Sequence, residues 1–178
     1  MSRILKRITK GVVIAGVAAL LLAAGGYAAG ARVNTTKSIP VGLYWTSSAP
    51  VEKGAYVLFC PPQLGVFDDA KERGYIGAGF CQGGYGYMMK RVLAAKDDAV
   101  AVADDGVRVN GELLPLSAPI KADKAGRPLP RYQSNSYTLG NSEVLLMSDV
   151  SATSFDGRYF GPINRSQIKT VIRPVITW

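Results

Sequence analysis

Ala99-Val100-Ala101-Val102-Ala103-Asp104-Asp105-Gly106-Val107-Arg108-Val109-Asn110-Gly111 alternates apolar runs with turn residues. The apolar runs Ala99 to Val102 and Val107 to Val109 flank Asp104-Asp105-Gly106, and Asn110-Gly111 follows directly. Dipeptides of this kind supply the backbone conformations that tight turns need, so two successive hairpins are expected. Further strand signals lie on both sides. They are Ala55-Tyr56-Val57-Leu58-Phe59 after the Glu52-Lys53-Gly54 turn, Met88 to Ala94, Glu143-Val144-Leu145-Leu146-Met147, and Ile168 to Val171 followed by Arg173 to Trp178. Residues 61–87 are rich in Pro and Gly, with a short charged helix expected at Asp68 to Arg73, and read as an excursion with a regional role. Residues 115–136, with Pro115, Pro119, Pro128 and Pro130, read as a long surface connection in which a helix is the alternative. Many short strands joined by long loops predict a mainly β domain, antiparallel and barrel-like.

A chain of 178 residues is long enough for one such domain with a sizeable core. Its net charge of +8 is uneven, because Arg3, Lys6, Arg7 and Lys10 fall in the first ten positions and the first acid is Glu52. No Lys/Arg run interleaved with aromatics follows Lys10, so the charge does not support a nucleic-acid partner and none is expected. From Gly11 to Ala31 there are 21 residues without a charge, enough helix to span a hydrocarbon core of roughly 30 Å. The expected organisation is a basic cytoplasmic flank over 1–10, a single transmembrane anchor over 11–31 and an external domain over 32–178. Removal of the segment at Ala28-Ala29-Gly30-Ala31 is the alternative. Cys60 and Cys81 are the only cysteines, and outside the cytoplasm an even count favours a disulfide over two buried thiols.

The chain has no histidine. That excludes a Ser-His-acid triad, a Cys-His pair and most zinc hydrolases, and no metal or other cofactor is expected. A serine nucleophile would need another base. Lysine serves if it is neutral, which at pH 7 requires burial to lower its pKa by about 3 units. Lys90, within Tyr87-Met88-Met89-Lys90-Arg91-Val92-Leu93, is flanked by an apolar run on an expected strand, and the plain alternative is a side chain pointing at solvent. Ser38, in Ser38-Ile39-Pro40-Val41-Gly42-Leu43-Tyr44-Trp45, follows closely on the apolar run. Pro40 holds Ile39 extended and Gly42 permits a close approach, so Ser38 can be held rigidly beside an extended peptide along Ile39 and Pro40, although ordinary turn chemistry uses the same residues. A third element runs from Ser148 to Pro162, where Asp156 and Arg158 can pair across a turn and the Ser154 hydroxyl can orient a neutral lysine.

Ser38-x-Pro40, then Lys90-Arg91-Val92, then Ser154-Phe155-Asp156-Gly157-Arg158 ending in Phe160-Gly161-Pro162, in this order behind an N-terminal anchor, resembles the type I signal peptidases. With Gly42-Leu43-Tyr44 included, the set is similar to their conjugative-transfer branch, whose members process pilins, and the likeness runs essentially the whole length. The resemblance implies a signal-peptidase fold with a serine-lysine dyad, Ser38 as nucleophile and Lys90 as base. It implies that the Ser38 N–H and the Thr36 hydroxyl face the oxyanion, that Ser154 orients the lysine, and that Asp156 and Arg158 form a supporting pair. Gly157 stands where the leader peptidases have a serine, and Ser148-Asp149-Val150 replaces a Gly-Asp-Asn. The implied setting is the bacterial inner membrane with the domain in the periplasm, and the implied partners are a pilin precursor, inner-membrane lipid and other proteins of the mating apparatus. Hydrolysis and cyclisation of the pilin both fit. The rival readings are a non-enzymatic tethered adaptor of the transfer apparatus and a general leader peptidase.

Overall fold

The computed structural model describes residues 3–178, so the expected basic flank over 1–10 begins outside the described residues. Helix α1 (Arg3–Ala28) carries the apolar run. Its stretch Arg7–Ala28, 22 residues near the N-terminus, is long and apolar enough to cross a membrane. The helix ends three residues before the expected boundary, because Ala31 already pairs with Trp45 as the first residue of β1 (Ala31–Asn34). Arg32 closes the helix end: its Nη1 donates to the Tyr27 carbonyl at 2.8 Å and its guanidinium lies 3.9 Å from the Tyr27 ring centroid.

The remaining elements are β2 (Gly42–Ser47), β3 (Tyr56–Phe59), α2 (Gly65–Glu72), β4 (Met88–Ala94), β5 (Ala99–Ala103), β6 (Gly106–Val109), β7 (Glu112–Leu113), β8 (Ser134–Thr138), β9 (Glu143–Met147), α3 (Gly157–Phe160), β10 (Ile163–Asn164) and β11 (Ile168–Thr177). They form two antiparallel sheets, ordered β1-β2-β11-β3-β4-β9-β10 and β7-β6-β5-β8. Both sheets are open in this order, so the architecture is mainly β and antiparallel without a closed barrel among the described residues. The two hairpins fall where the turn residues put them: Ala103 pairs with Gly106 across Asp104-Asp105, and Val109 with Glu112 across Asn110-Gly111. Asn110 and Gly111 have φ of 54° and 84°, the left-handed conformation that this turn requires.

The two expected C-terminal runs are one strand. β11 continues through Pro174, which pairs with Tyr44 of β2 beyond the end of the β3 pairing at Ile172, so the proline sits where the strand has one neighbour. The connection over 115–136 contains no helix and runs into β8 at Ser134. The excursion over 61–87 folds onto the large sheet. Phe67, Ala70, Ile76 and Tyr85 join Val57, Phe59, Val92, Leu146 and Val171 in the main core, and a Cys60–Cys81 disulfide ties its ends. Closing a loop of that length stabilises a fold by about 3 kcal/mol. A second core lies between the small sheet and β9, and a third sits directly behind Ser38, where Ile39 and Tyr44 pack on Leu58 and Ile172.

Candidate active site

Ser38 lies in the turn between β1 and β2, and one buried side chain organises that turn. Asn34, the last residue of β1 and 4% exposed, donates from Nδ2 to the carbonyls of Thr36, Ile39 and Pro40 at 2.7, 2.9 and 3.1 Å. Its Oδ1 accepts from the Thr36 N–H at 3.2 Å and the Thr36 hydroxyl at 3.0 Å. The Tyr44 hydroxyl donates to the Pro40 carbonyl at 2.6 Å, and the Val41 carbonyl accepts from the Trp178 N–H at 3.0 Å. Gly42 is required where the turn enters β2, since a Cβ there would stand 2.2 Å from the Ile176 carbonyl oxygen. Thr36 Oγ1 and Ser38 Oγ are 2.8 Å apart. Because the Thr36 hydroxyl proton goes to Asn34, the Ser38 hydroxyl is the donor of this pair at rest.

Lys90 comes from β4, whose side chains alternate so that Met88, Lys90, Val92 and Ala94 share the buried face. The lysine is 3% exposed and points inward, while Arg91 on the opposite face pairs with Asp149 and lies 5.4 Å from the Tyr56 ring centroid. Lys90 Nζ donates to Ser154 Oγ at 2.9 Å. Burial pushes its pKa down to about 8; the Asp156 carboxylate pulls it up and the Arg158 guanidinium pushes it further down.

The loop that supplies Ser154 is anchored by an ion pair with no solvent exposure. Arg158 Nε and Asp156 Oδ1 are 2.8 Å apart, and Nη2 reaches Oδ2 at 3.1 Å. Asp156 also accepts from the N–H groups of Ser148 at 3.0 Å and Arg158 at 3.2 Å. The remaining guanidinium hydrogens go to the carbonyls of Ser151, Ala152 and Leu116. Every strong donor and acceptor of the pair is therefore used, the condition under which charges can be buried. Gly157 packs closely on β9, since a Cβ there would stand 2.7 Å from Leu145 Cδ1 and 3.0 Å from the Leu146 carbonyl oxygen.

Ser38, Thr36, Lys90 and Ser154 line one open cavity of about 410 Å³. No hydrogen bond joins Ser38 to Lys90 among the described residues, so the two face the same space with their hydroxyl and amine engaged by Thr36 and Ser154. Ile39 and Pro40, the residues expected along the substrate, are not among those lining this cavity. Ile39 has no exposed surface, being packed into the core behind the turn, and the Pro40 carbonyl is held by Asn34 and Tyr44. The walls come instead from β1, from Met88 and Met89 of β4, and from Tyr75, Ile76, Gly77 and Tyr87 of the excursion, whose role is therefore part of the site. Asn34 was not singled out by sequence. An Asn two residues before a Thr, entering a Pro-containing turn, is the signal for such side-chain to backbone bonding.

A family model described as signal peptidase, peptidase S26, matches residues 2–178. A plasmid transfer protein TraF of Escherichia coli is 99% identical over 178 residues, covering all of both chains. A conjugal transfer protein TraF of Agrobacterium fabrum is 35% identical over 168 residues, 92% of this chain and 93% of its own. Among solved structures, a signal peptidase I of Enterococcus faecalis matches with a TM-score of 0.40 and 16% identity, over 71% of this chain and all of its own. With the family model spanning nearly the whole sequence, this chain belongs to the S26 family of signal peptidases.

Proposed function

We propose that the chain is a membrane-anchored serine peptidase in which Ser38 is the nucleophile and Lys90 the general base. The observation that carries this reading is a buried lysine with a pKa near 8 in the same cavity as an accessible serine hydroxyl. At pH 7 roughly one in ten such lysines is neutral, against about one in 2,500 at the ordinary value. An N–H of Lys90 Nζ donates to Ser154 Oγ, which leaves the lone pair of the neutral amine free to face the cavity.

The Ser38 hydroxyl turns from Thr36 towards Lys90, gives up its proton to Nζ, and Oγ attacks the carbonyl carbon of the substrate. The oxyanion is met by the Ser38 N–H and by the Thr36 hydroxyl, whose proton swings to it from Asn34 Oδ1. The Lys90 ammonium then protonates the leaving amine as the C–N bond breaks, leaving an ester on Ser38. Water, or an amine of the substrate itself, attacks that ester with Lys90 again as base. Asp156 and Arg158 hold the loop that positions Ser154.

The relatives named for plasmid and conjugal transfer support a role in conjugation, with a pilin precursor as substrate and mating-apparatus proteins as neighbours. The helix Arg7–Ala28 would anchor the chain in the inner membrane with residues 32–178 in the periplasm, where the disulfide is stable. Mass analysis of the candidate pilin co-expressed with this chain or its Ser38→Ala form tests the reading. Processing only with Ser38 intact is expected. A product about 18 Da below the trimmed linear pilin means that an amine intercepted the ester and closed a ring, and the linear mass means hydrolysis. Equal processing with Ser38→Ala would overturn the assignment.

A further inference from the structure

Beside the cavity of Ser38 and Lys90 lies a second hollow of about 380 Å³, which shares Tyr75, Thr153 and Phe155 with it. Its remaining apolar wall is Ile120, Leu129 and Tyr159. The Phe155 and Tyr159 rings are stacked with centroids 5.9 Å apart and planes 6° from parallel, and Tyr75 packs on Phe155 at 5.8 Å.

Of the polar groups around this hollow, Asp123, Arg127 and the Tyr75 and Tyr159 hydroxyls are already engaged, while Lys124 has no hydrogen-bond partner among the described residues. Asp123 accepts from the Tyr75 hydroxyl at 2.5 Å, from Arg127 Nε at 2.7 Å, and from the N–H groups of Ala125 and Arg127 at 2.9 Å. The Tyr159 hydroxyl accepts from the Ile120 N–H at 3.1 Å. Apart from Lys124 at the exposed rim, ring faces and aliphatic carbon make up the surface left open, which suits an apolar or aromatic side chain.

The catalytic geometry supplies the direction. A base that takes the proton of Ser38 and returns it to the leaving amine must lie beside the leaving segment of the substrate. Lys90 Nζ is held by Ser154, and the next residue, Phe155, is the wall common to both spaces. We infer that the hollow binds an apolar or aromatic side chain of the substrate segment C-terminal to the cut bond. The inference rests on the Ser38–Lys90 reading and gives that site a recognition element on its leaving side.

An entering amine retraces the path of a leaving one, so partition of the acyl-enzyme tests the site. The full chain is acylated with N-acetyl-alanine p-nitrophenyl ester. It is then offered tripeptide amides carrying Phe or Leu at each position in turn, against the same amides carrying Lys or Glu. The amine nitrogen forms the new C–N bond, the ester C–O bond to Ser38 breaks, and the amine proton passes through Lys90 to Oγ. The expected result is a ratio of aminolysis to hydrolysis at least ~10-fold higher for Phe or Leu at one position. Leu129→Glu, which places a charge in the hollow, and Ala125→Trp, which fills it, are expected to bring that preference to within about twofold. The ratio is read per acyl-enzyme and does not depend on how fast the ester forms. Equal partition for all amides, or a preference retained in both variants, would overturn this site while leaving the dyad standing. If no ester forms on Ser38, the dyad fails and this site fails with it.

Discussion

The turn that carries Ser38 and the loop that carries Ser154 are each built around one buried polar side chain, Asn34 in the first and Arg158 in the second. Asn34 is neutral, and it ties together carbonyls within six residues of itself. Arg158 is charged, is neutralised by Asp156, and gathers carbonyls from as far away as Leu116. The difference matches what each loop must hold. In the proposed dyad the nucleophile needs a fixed backbone, and Asn34 supplies position without adding a charge. The base needs a lowered pKa, and the loop beside it brings charge of both signs whose effects on Lys90 oppose each other, leaving burial as the dominant cause.

Breaking the charged loop has the largest expected effect. Arg158→Met leaves the Asp156 carboxylate buried without its partner, at a cost of about 3–5 kcal/mol, which denaturant unfolding would register as a lower midpoint. The same substitution removes the positive neighbour of Lys90 and leaves the negative one, so in whatever fraction folds the Lys90 pKa should rise. A stability change under 1 kcal/mol would mean that the pair is not the anchor described.

Asn34→Ala attacks the neutral turn. The bonds to three carbonyls and to Thr36 disappear, at an expected cost of about 2 kcal/mol. Ser38 modification by a fluorophosphonate probe should slow by roughly 10- to 100-fold as the serine loses its fixed position. Because Asn34 carries no charge, the pH midpoint of that reaction should not move. A moved midpoint would show that the two regions are coupled and would end the contrast between them.

The third expected effect, of similar size, has the opposite sign. The folded pKa of Lys90, about 8, lies below its value in the unfolded chain, so between those two values the unfolded state binds more protons and stability rises with pH. Below pH 8 the folded protein carries the full cost of the buried ammonium. Lys90→Met should therefore stabilise the chain at pH 7, by on the order of 2 kcal/mol after loss of the Ser154 bond, and the gain should fade between pH 8 and about 10.5. Thermal melts at pH 7 and pH 10 would show it, and a destabilised variant at pH 7 would contradict the burial assigned to Lys90.

These contrasts also mark what the sequence made legible. The β5–β6–β7 meander was readable because Asp104-Asp105-Gly106 and Asn110-Gly111 fix turns through local backbone chemistry. Lys90 was readable as a candidate because its neighbours are apolar, although only the strand pairing decides that it shares the inward face with Met88 and Val92. β1 was hidden: Ala31 reads as the end of an uncharged run, and the strand exists because β2 pairs with it. The burial of Ile39 was hidden for a related reason. Beside a serine in an extended segment it looks like a substrate contact, whereas Leu58 and Ile172, distant in sequence, bury it. The hollow beside Phe155 combines Tyr75, Ile120, Leu129 and Tyr159 from separate segments, and no local pattern announces it.

The most direct test of the central claim is the pH dependence of Ser38 acylation by a neutral fluorophosphonate on the full chain, with the modified residue located by mass spectrometry. The account predicts modification at Ser38 whose rate rises with pH through a single midpoint near 8, and near-complete loss of that rate in Lys90→Met. A rate at Ser38 that Lys90→Met leaves unchanged would contradict the assignment of Lys90 as the base.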